Sequence, residues 1–93
     1  MSIPAHPTMP EGDTEAIKTA FAEVLKKART AQGLTQEELA NRAGLYRTYP
    51  SLLERAERQP TLNVVIRLGK ALDIEPSEIV RRVSEAINAG DPS

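Results

Sequence analysis

The stretch from Thr35 to Glu54 constrains this 93-residue chain more than any other part of it. Thr35 and Glu38 have the Thr-x-x-Glu spacing of a capping box, in which each side chain satisfies the other's free backbone amide, so a helix starts here. Leu39, Ala40 and Ala43 then recur at helical spacing, and Gly44 is the residue type that closes a helix in the left-handed conformation. After Leu45 a second short helix is predicted, with Tyr46 at its cap and Arg47, Thr48 and Tyr49 in its first turn. Leu53 faces inward, while Ser51, Leu52 and Arg55 face outward. Two short helices joined in this way can lay the second one in a DNA major groove.

The polar residues of this stretch suit that task. Arg47 can bond a guanine edge through two N–H groups, and Thr48 can offer a hydroxyl to a base or a methyl to thymine. Tyr49 and Ser51 can bond phosphates or sugars. Gln36, at the first helical position, can bond a phosphate beside the free amides there. Tyr46 completes the group from the cap. The plainer alternative makes Arg47 a solvated surface residue and Tyr49 a half-buried packing residue. Pro50 leaves two geometries open. If Tyr46 is the cap, Pro50 is the fourth helical residue and removes the first intrahelical bond, at less than the ~3 kcal/mol of an interior proline. If the helix begins at Pro50, Arg47 and Thr48 fall in the turn before it.

Composition narrows the rest. Ala, Leu, Glu, Lys and Arg dominate, aromatics are scarce, and the length suits one small domain, so an all-α chain is expected. The absence of cysteine excludes disulfides and thiolate metal sites. No apolar run is long enough to span a membrane and no secretion signal opens the chain, so a cytoplasmic location is expected. The net charge is only -1, but it is unevenly placed. Residues 1–25 carry -3, residues 59–93 carry -1, and residues 26–58, which include Lys26, Lys27, Arg29, Arg42, Arg47, Arg55 and Arg58, carry +3. Charge on the docking face governs phosphate binding more than the global balance does. An excess of +3 is also an ordinary solvated surface.

Residues 1–12, with Pro4, Pro7, Pro10 and Gly12, read as a disordered or loosely attached arm. His6 has no partner ligands there, so neither a metal nor a catalytic role is expected. A domain of five helices is predicted over 13–90, followed by a short tail at 91–93. The first helix should start near Asp13 or Thr14, bury Ile17, Ala20, Phe21, Val24, Leu25 and Ala28, and end near Gln32 with Gly33 in the left-handed position. Ala56 suggests a third helix that runs on towards Arg58. Arg55 and Arg58 are candidate phosphate contacts. Thr61 should cap the fourth helix, with Leu62, Val65, Leu68, Gly69 and Leu72 completing the core. Pro76 should open the fifth, and Gly90 should close it. Val64, Ile66, Ile79, Val83 and Ile87 are candidates for a symmetric dimer seam. The alternative is that the fifth helix only folds back on its own core.

From Leu25 to Ile79 the chain resembles the XRE-type helix-turn-helix family, the five-helix domain of lambdoid phage repressors. The matching stretches are Gly33 to Ala40, Ala43-Gly44-Leu45, Leu53-Glu54-Arg55, Pro60-Thr61-Leu62 and Leu68 to Leu72. Arg47-Thr48-Tyr49 and Ser51 to Arg55 are similar to controller proteins of restriction–modification systems. The resemblance implies a single compact five-helix domain with a central helix-turn-helix, and a dimer on double-stranded DNA. It also implies DNA contacts from Gln36, Arg47, Thr48, Tyr49, Ser51 and Arg55, and a structural ion pair between Arg29 and Glu54. The chain departs from the family pattern at Pro50, where an aliphatic residue is usual, and at Ala56, where a glycine is usual. A sequence-specific transcriptional regulator, a repressor or controller-type autoregulator acting on a pseudopalindromic operator, is the leading expectation. The alternatives are an antitoxin, which would also hold a toxin or other protein partner, and a helical interaction module that has lost DNA binding. An enzyme is not expected, since there is neither a histidine pair nor a phosphate-cradling glycine loop, and no cofactor is expected either.

Overall fold

Leu25, Leu39, Leu53, Leu68 and Leu72 come from four different helices and are almost wholly shielded from solvent, so one apolar core holds the chain together. The computed structural model describes residues 11–89, with side chains from Asp13 onward. The arm at 1–10, including His6, and the expected helix stop at Gly90 with the tail after it lie outside the described residues. The elements are α1 (Glu11–Ala31), α2 (Gln36–Ala43), α3 (Tyr49–Glu54), α4 (Leu62–Leu72) and α5 (Pro76–Ala89). There is no strand among the described residues, so the fold is all-α. No helix among them is long and apolar enough to cross a membrane.

Helix α1 begins two residues before Asp13, so Asp13 and Thr14, the expected caps, lie within the helix, and Asp13 and Glu15 both stand near its start. Their charges still complement the free amides of the helix start. Its buried face is Ala20, Phe21, Val24, Leu25 and Ala28, and it packs against α3 and α5. At its far end the Gln32 side-chain amide donates to the Leu72 carbonyl, tying the end of α1 to the end of α4.

Four helices stop by the same device. After each, one residue turns left-handed and two amides reach back over the last turn: Leu34 N–H to Arg29 O, Leu45 N–H to Ala40 O, Glu57 N–H to Leu52 O and Ile74 N–H to Gly69 O are the longer closures. Glycine fills the left-handed position after α1 and α2, at φ 69° in both Gly33 and Gly44. After α3 and α4 the position falls to Ala56 (φ 59°) and Asp73 (φ 56°). The third helix therefore does not run on to Arg58. It ends at Glu54, and Ala56 adopts the glycine conformation despite its Cβ. Left-handed geometry costs an L-residue about 1–2 kcal/mol, part of which glycine gives back through its looser unfolded chain. Ala56→Gly is therefore expected to stabilise the domain by about 0.5–1 kcal/mol. Thermal unfolding checks it, since one kcal/mol moves the midpoint by about 4–8 °C in a domain this small. A lower midpoint would count against strain at Ala56.

Two expectations about α4 and α5 change. Leu62 is not a core residue: it is 71% exposed. The buried stripe of α4 is Val64, Val65, Leu68, Gly69 and Leu72, and Leu62 lies at the edge of that stripe, in the open first turn of the helix where nothing covers it. Val64 and Ile79, expected on a dimer seam, are sealed within the protomer's own core, Ile79 at 3% exposure. Periodicity marks both as apolar-face positions, but the core takes them first. Val83 packs half-buried against that core, Ile87 is half-buried, and Val80 and Ile66 are open to solvent.

The outer face of α5 is braced by ion pairs. Arg81 forks onto Glu78 at 2.6 and 2.8 Å, Arg82 adds a contact at 3.0 Å, and Arg81 also reaches Glu85 at 2.7 Å. Hydrogen bonds from Arg81, then Arg82, pull the Glu78 carboxyl from the usual 4.5 to about 2. A carboxyl depressed by folding contributes stability that is present above its unfolded value and lost as pH falls through its folded one. Glu78→Gln is therefore expected to cost stability at pH 6, with the cost shrinking below the ordinary 4.5 and mostly gone by about pH 2, and with the difference smaller in 1 M salt because the pairs are exposed. Urea unfolding across that pH range is the measurement. A pH-independent difference would mean that the carboxylate charge is not what matters.

Candidate nucleic-acid interface

The reading unit is assembled from α2, α3 and the turn between them. Thr35 caps α2: its Oγ1 accepts from the Glu38 amide at 3.0 Å, and the Glu38 carboxylate accepts from the Thr35 amide at 2.9 Å. The second bond, backed by the Thr35 hydroxyl, lowers the Glu38 pKa. Gly44 then reverses the chain, its amide reaching back to Ala40 and Asn41. The turn carries Leu45 to Thr48, closed by Tyr49 N–H donating to Tyr46 O at 3.0 Å.

The cap of α3 is Thr48, not Tyr46, and Arg47 and Thr48 precede the helix instead of lying in its first turn. Pro50 decides this. It occupies the second helical position, where the missing N–H has no intrahelical acceptor to lose. Its ring is almost fully buried, so it fills the inward site that an aliphatic side chain would otherwise take. Shortening α3 at its start leaves Tyr46, Arg47 and Thr48 as an exposed ridge on the turn, with Tyr46 at 87% exposure. Tyr49 and Ser51 are half-buried, Tyr49 resting against the core. Arg55 and Arg58 are exposed after the helix, and Arg55 is paired with Glu57 at 2.9 Å across open surface.

At the end of α3 away from the ridge, a single carboxylate joins three elements. Arg29 of α1 forks onto Glu54 of α3, through Nε to Oε2 at 2.6 Å and Nη2 to Oε1 at 2.9 Å. Its remaining arm, Nη1, donates to the Leu34 carbonyl at 2.7 Å. Gln36 of α2 donates its side-chain amide to Glu54 Oε1 at 3.1 Å. The side chains of Arg29 and Glu54 are only 12% and 4% exposed. The hydrogen bonds to Glu54 raise the arginine's pKa above its ordinary value. Glu54 thus faces inward, and the negative charge it would otherwise bring near DNA is neutralised. Sequence reasoning places Gln36 at a phosphate and misses this second partner. A glutamine one residue after a capping threonine carries no local mark of a contact with α3. The Leu34 carbonyl is likewise invisible in side-chain identity.

The helix-turn-helix family matches residues 25–79, which takes in the end of α1, all of α2 to α4 and the start of α5. The chain belongs to this family. Within it, control protein C.SmaI of Serratia marcescens is 40% identical over 76 residues, covering 80% of this chain and 90% of that protein. The crystal structure of the restriction–modification controller protein C.AhdI of Aeromonas hydrophila is 44% identical, covers 69% of this chain and 97% of its own, and superposes with a TM-score of 0.66. The controller protein C.Esp1396I, solved as a tetramer in complex with its natural 35 base-pair operator, is 30% identical over 77% of this chain and 95% of its own, at a TM-score of 0.70. This helix-turn-helix domain keeps the five-helix frame while seating a proline in its second reading helix and a left-handed alanine after it.

Proposed function

We propose that this chain is a sequence-specific DNA-binding transcriptional regulator, a controller-type autoregulator that binds a pseudopalindromic operator as a homodimer. The observation that carries the reading is the exposed ridge of Tyr46, Arg47 and Thr48 on the turn between α2 and α3, two helices whose other ends are tied together by the Arg29–Glu54–Gln36 network. Large side chains this open do nothing for the core, and a rigid seat fixes which base edges they meet. Arg47 reads a guanine, Thr48 and Tyr46 contact neighbouring bases or sugars, and Tyr49 and Ser51 contact the backbone. Gln36 keeps its carbonyl and one N–H free for the phosphate beside the start of α2. Arg55 and Arg58 add phosphate contacts, Arg55 exchanging its surface pair with Glu57 at little cost. The dimer seam runs along α5 through Val80, Val83 and Ile87, which share one helical face. The relatives described as control proteins favour this reading over an antitoxin or a module without DNA binding.

DNase footprinting on the region upstream of its own gene tests the reading. A protected pair of half-sites about one helical turn apart is expected, with affinity falling steeply as salt rises. Arg47→Ala should cost about 1–3 kcal/mol, concentrated at one base position. No protection at low salt would overturn the proposal, and an equal loss on every sequence would move Arg47 to a phosphate.

A further inference from the structure

A second surface lies on the other side of α2. Asn63, Ile66, Arg67 and Lys70 share one face of α4, and Arg42 and Ala43 at the end of α2 form the facing wall. Together they enclose an open pocket of about 460 Å³ whose only charged linings are the three cations. Among the described residues, none of the three is in an ion pair. Arg67 donates instead to neutral Asn63 Oδ1 at 2.7 Å, which steers its guanidinium over Gly44. Glu38, one turn before Arg42, gives one carboxylate oxygen to the Thr35 amide and meets Arg42 only through space, not in a contact ion pair. Arg42 and Lys70 each also suit the negative end of their helix. That effect does not call for both to meet Arg67 around an exposed isoleucine.

We propose that this pocket docks an acidic amphipathic helix of a partner protein, with glutamates pairing to Arg42, Arg67 and Lys70 and an aliphatic side chain seated on Ile66. The charge calls for a polyanion, and Ile66 decides which kind. A phosphate backbone has no use for an apolar side chain at the centre of its contact, whereas an acidic helix with a leucine between its glutamates satisfies both parts. The surface is also separate from the reading ridge. Arg47 lines a different groove with Thr35, Glu37, Glu38, Ala40, Asn41 and Leu45, so the two ligands are held on two sides of α2. A chain bound to its operator keeps this pocket free to recruit or be restrained by a second protein.

The test is fluorescence anisotropy of the full chain with a labelled synthetic helix of about 16 residues, long enough to be helical, carrying glutamates at i and i+4 around a central leucine. The expected result is salt-sensitive binding that Arg42→Glu and Lys70→Glu each weaken about tenfold, that Ile66→Ser also weakens, and that a lysine-for-glutamate peptide does not show. Both charge-reversed side chains are exposed, so the melting midpoint by circular dichroism should fall only by the few degrees that a reversed charge at a helix end costs, and a larger folding defect would be seen as such. Equal binding by wild type and the Arg42→Glu/Lys70→Glu double variant overturns the proposal. So does displacement of the peptide by millimolar inorganic phosphate, which would make the pocket a small-anion site. Loss of affinity for duplex DNA in the same variants, or competition between duplex and peptide, would make it a phosphate-backbone contact instead. The footprint and this titration use different ligands and different residues, so each can fail alone.

Discussion

Glu54→Ala leaves the part-buried Arg29 guanidinium without its counter-charge, and the domain loses about 3 kcal/mol, the lower end of what breaking a buried pair costs. A domain of roughly 80 residues has about 4–12 kcal/mol in total, so this one side chain decides whether much of the population is folded. The cost arises from stranding a charge and has little to do with the attraction of the pair, because desolvation offsets most of that attraction. The double variant Arg29→Met/Glu54→Leu should therefore recover most of the loss. Urea unfolding of the two variants separates these terms. A loss under 1 kcal/mol in the single variant would show that the pair behaves like a surface one. Gln36 loses its Glu54 acceptor in the same change, while the Leu34 carbonyl keeps its bond from Arg29, so the tie between α2 and α3 loosens along with the fold.

Gly69→Ala is the second large effect. A Cβ built on Gly69 would stand 2.7 Å from the Ile74 carbonyl oxygen and 2.9 Å from Cγ of Pro76. Neither can yield cheaply, since one is backbone and the other is a ring fixed at the start of α5. Overpacking of this kind costs about 1–3 kcal/mol, and the upper part of that range is expected here. The helix propensity of alanine returns up to about 1 kcal/mol, which is why the loss does not exceed it. Because the clash pushes α5 away from α4, the variant should also weaken any dimer that depends on α5. Sedimentation equilibrium beside thermal melting reads both, and a variant as stable as the parent would mean that the α4–α5 corner is plastic.

What could be read in advance was what is local. Thr35 with Glu38, Gly33, Gly44, Thr61 and Pro76 mark helix ends by their own stereochemistry, and the structure ends its helices beside them. At Ala56 the family's usual glycine hints at the turn, but the alanine itself gives no sign that its neighbours will force φ to 59°. Pro50 narrowed the start of α3 to two geometries without choosing between them. The choice fell to packing, which buries the ring and so sets Thr48 as the cap. Val64 against Leu62 shows the same limit. Both are apolar in the same helix, but only the tertiary arrangement says that the core covers Val64 and leaves Leu62 bare. The Gln36–Glu54 contact spans 18 residues, and no short-range pattern encodes it.

The brevity of α3 has a consequence that is best counted in bits. On the proposed reading, a helix this short leaves base recognition to the ridge of Tyr46, Arg47 and Thr48, three side chains for about three base pairs, so one protomer resolves about six bits at most and a symmetric pair about twelve. Singling out one address among about 10⁶ competing sites takes about twenty bits. A lone dimer of such a protein would find matching words every few thousand base pairs. Its selectivity must therefore be collective, coming from the spacing of several half-sites, from the stiffness of the duplex between them, or from an added protein that recognises only the fully occupied array.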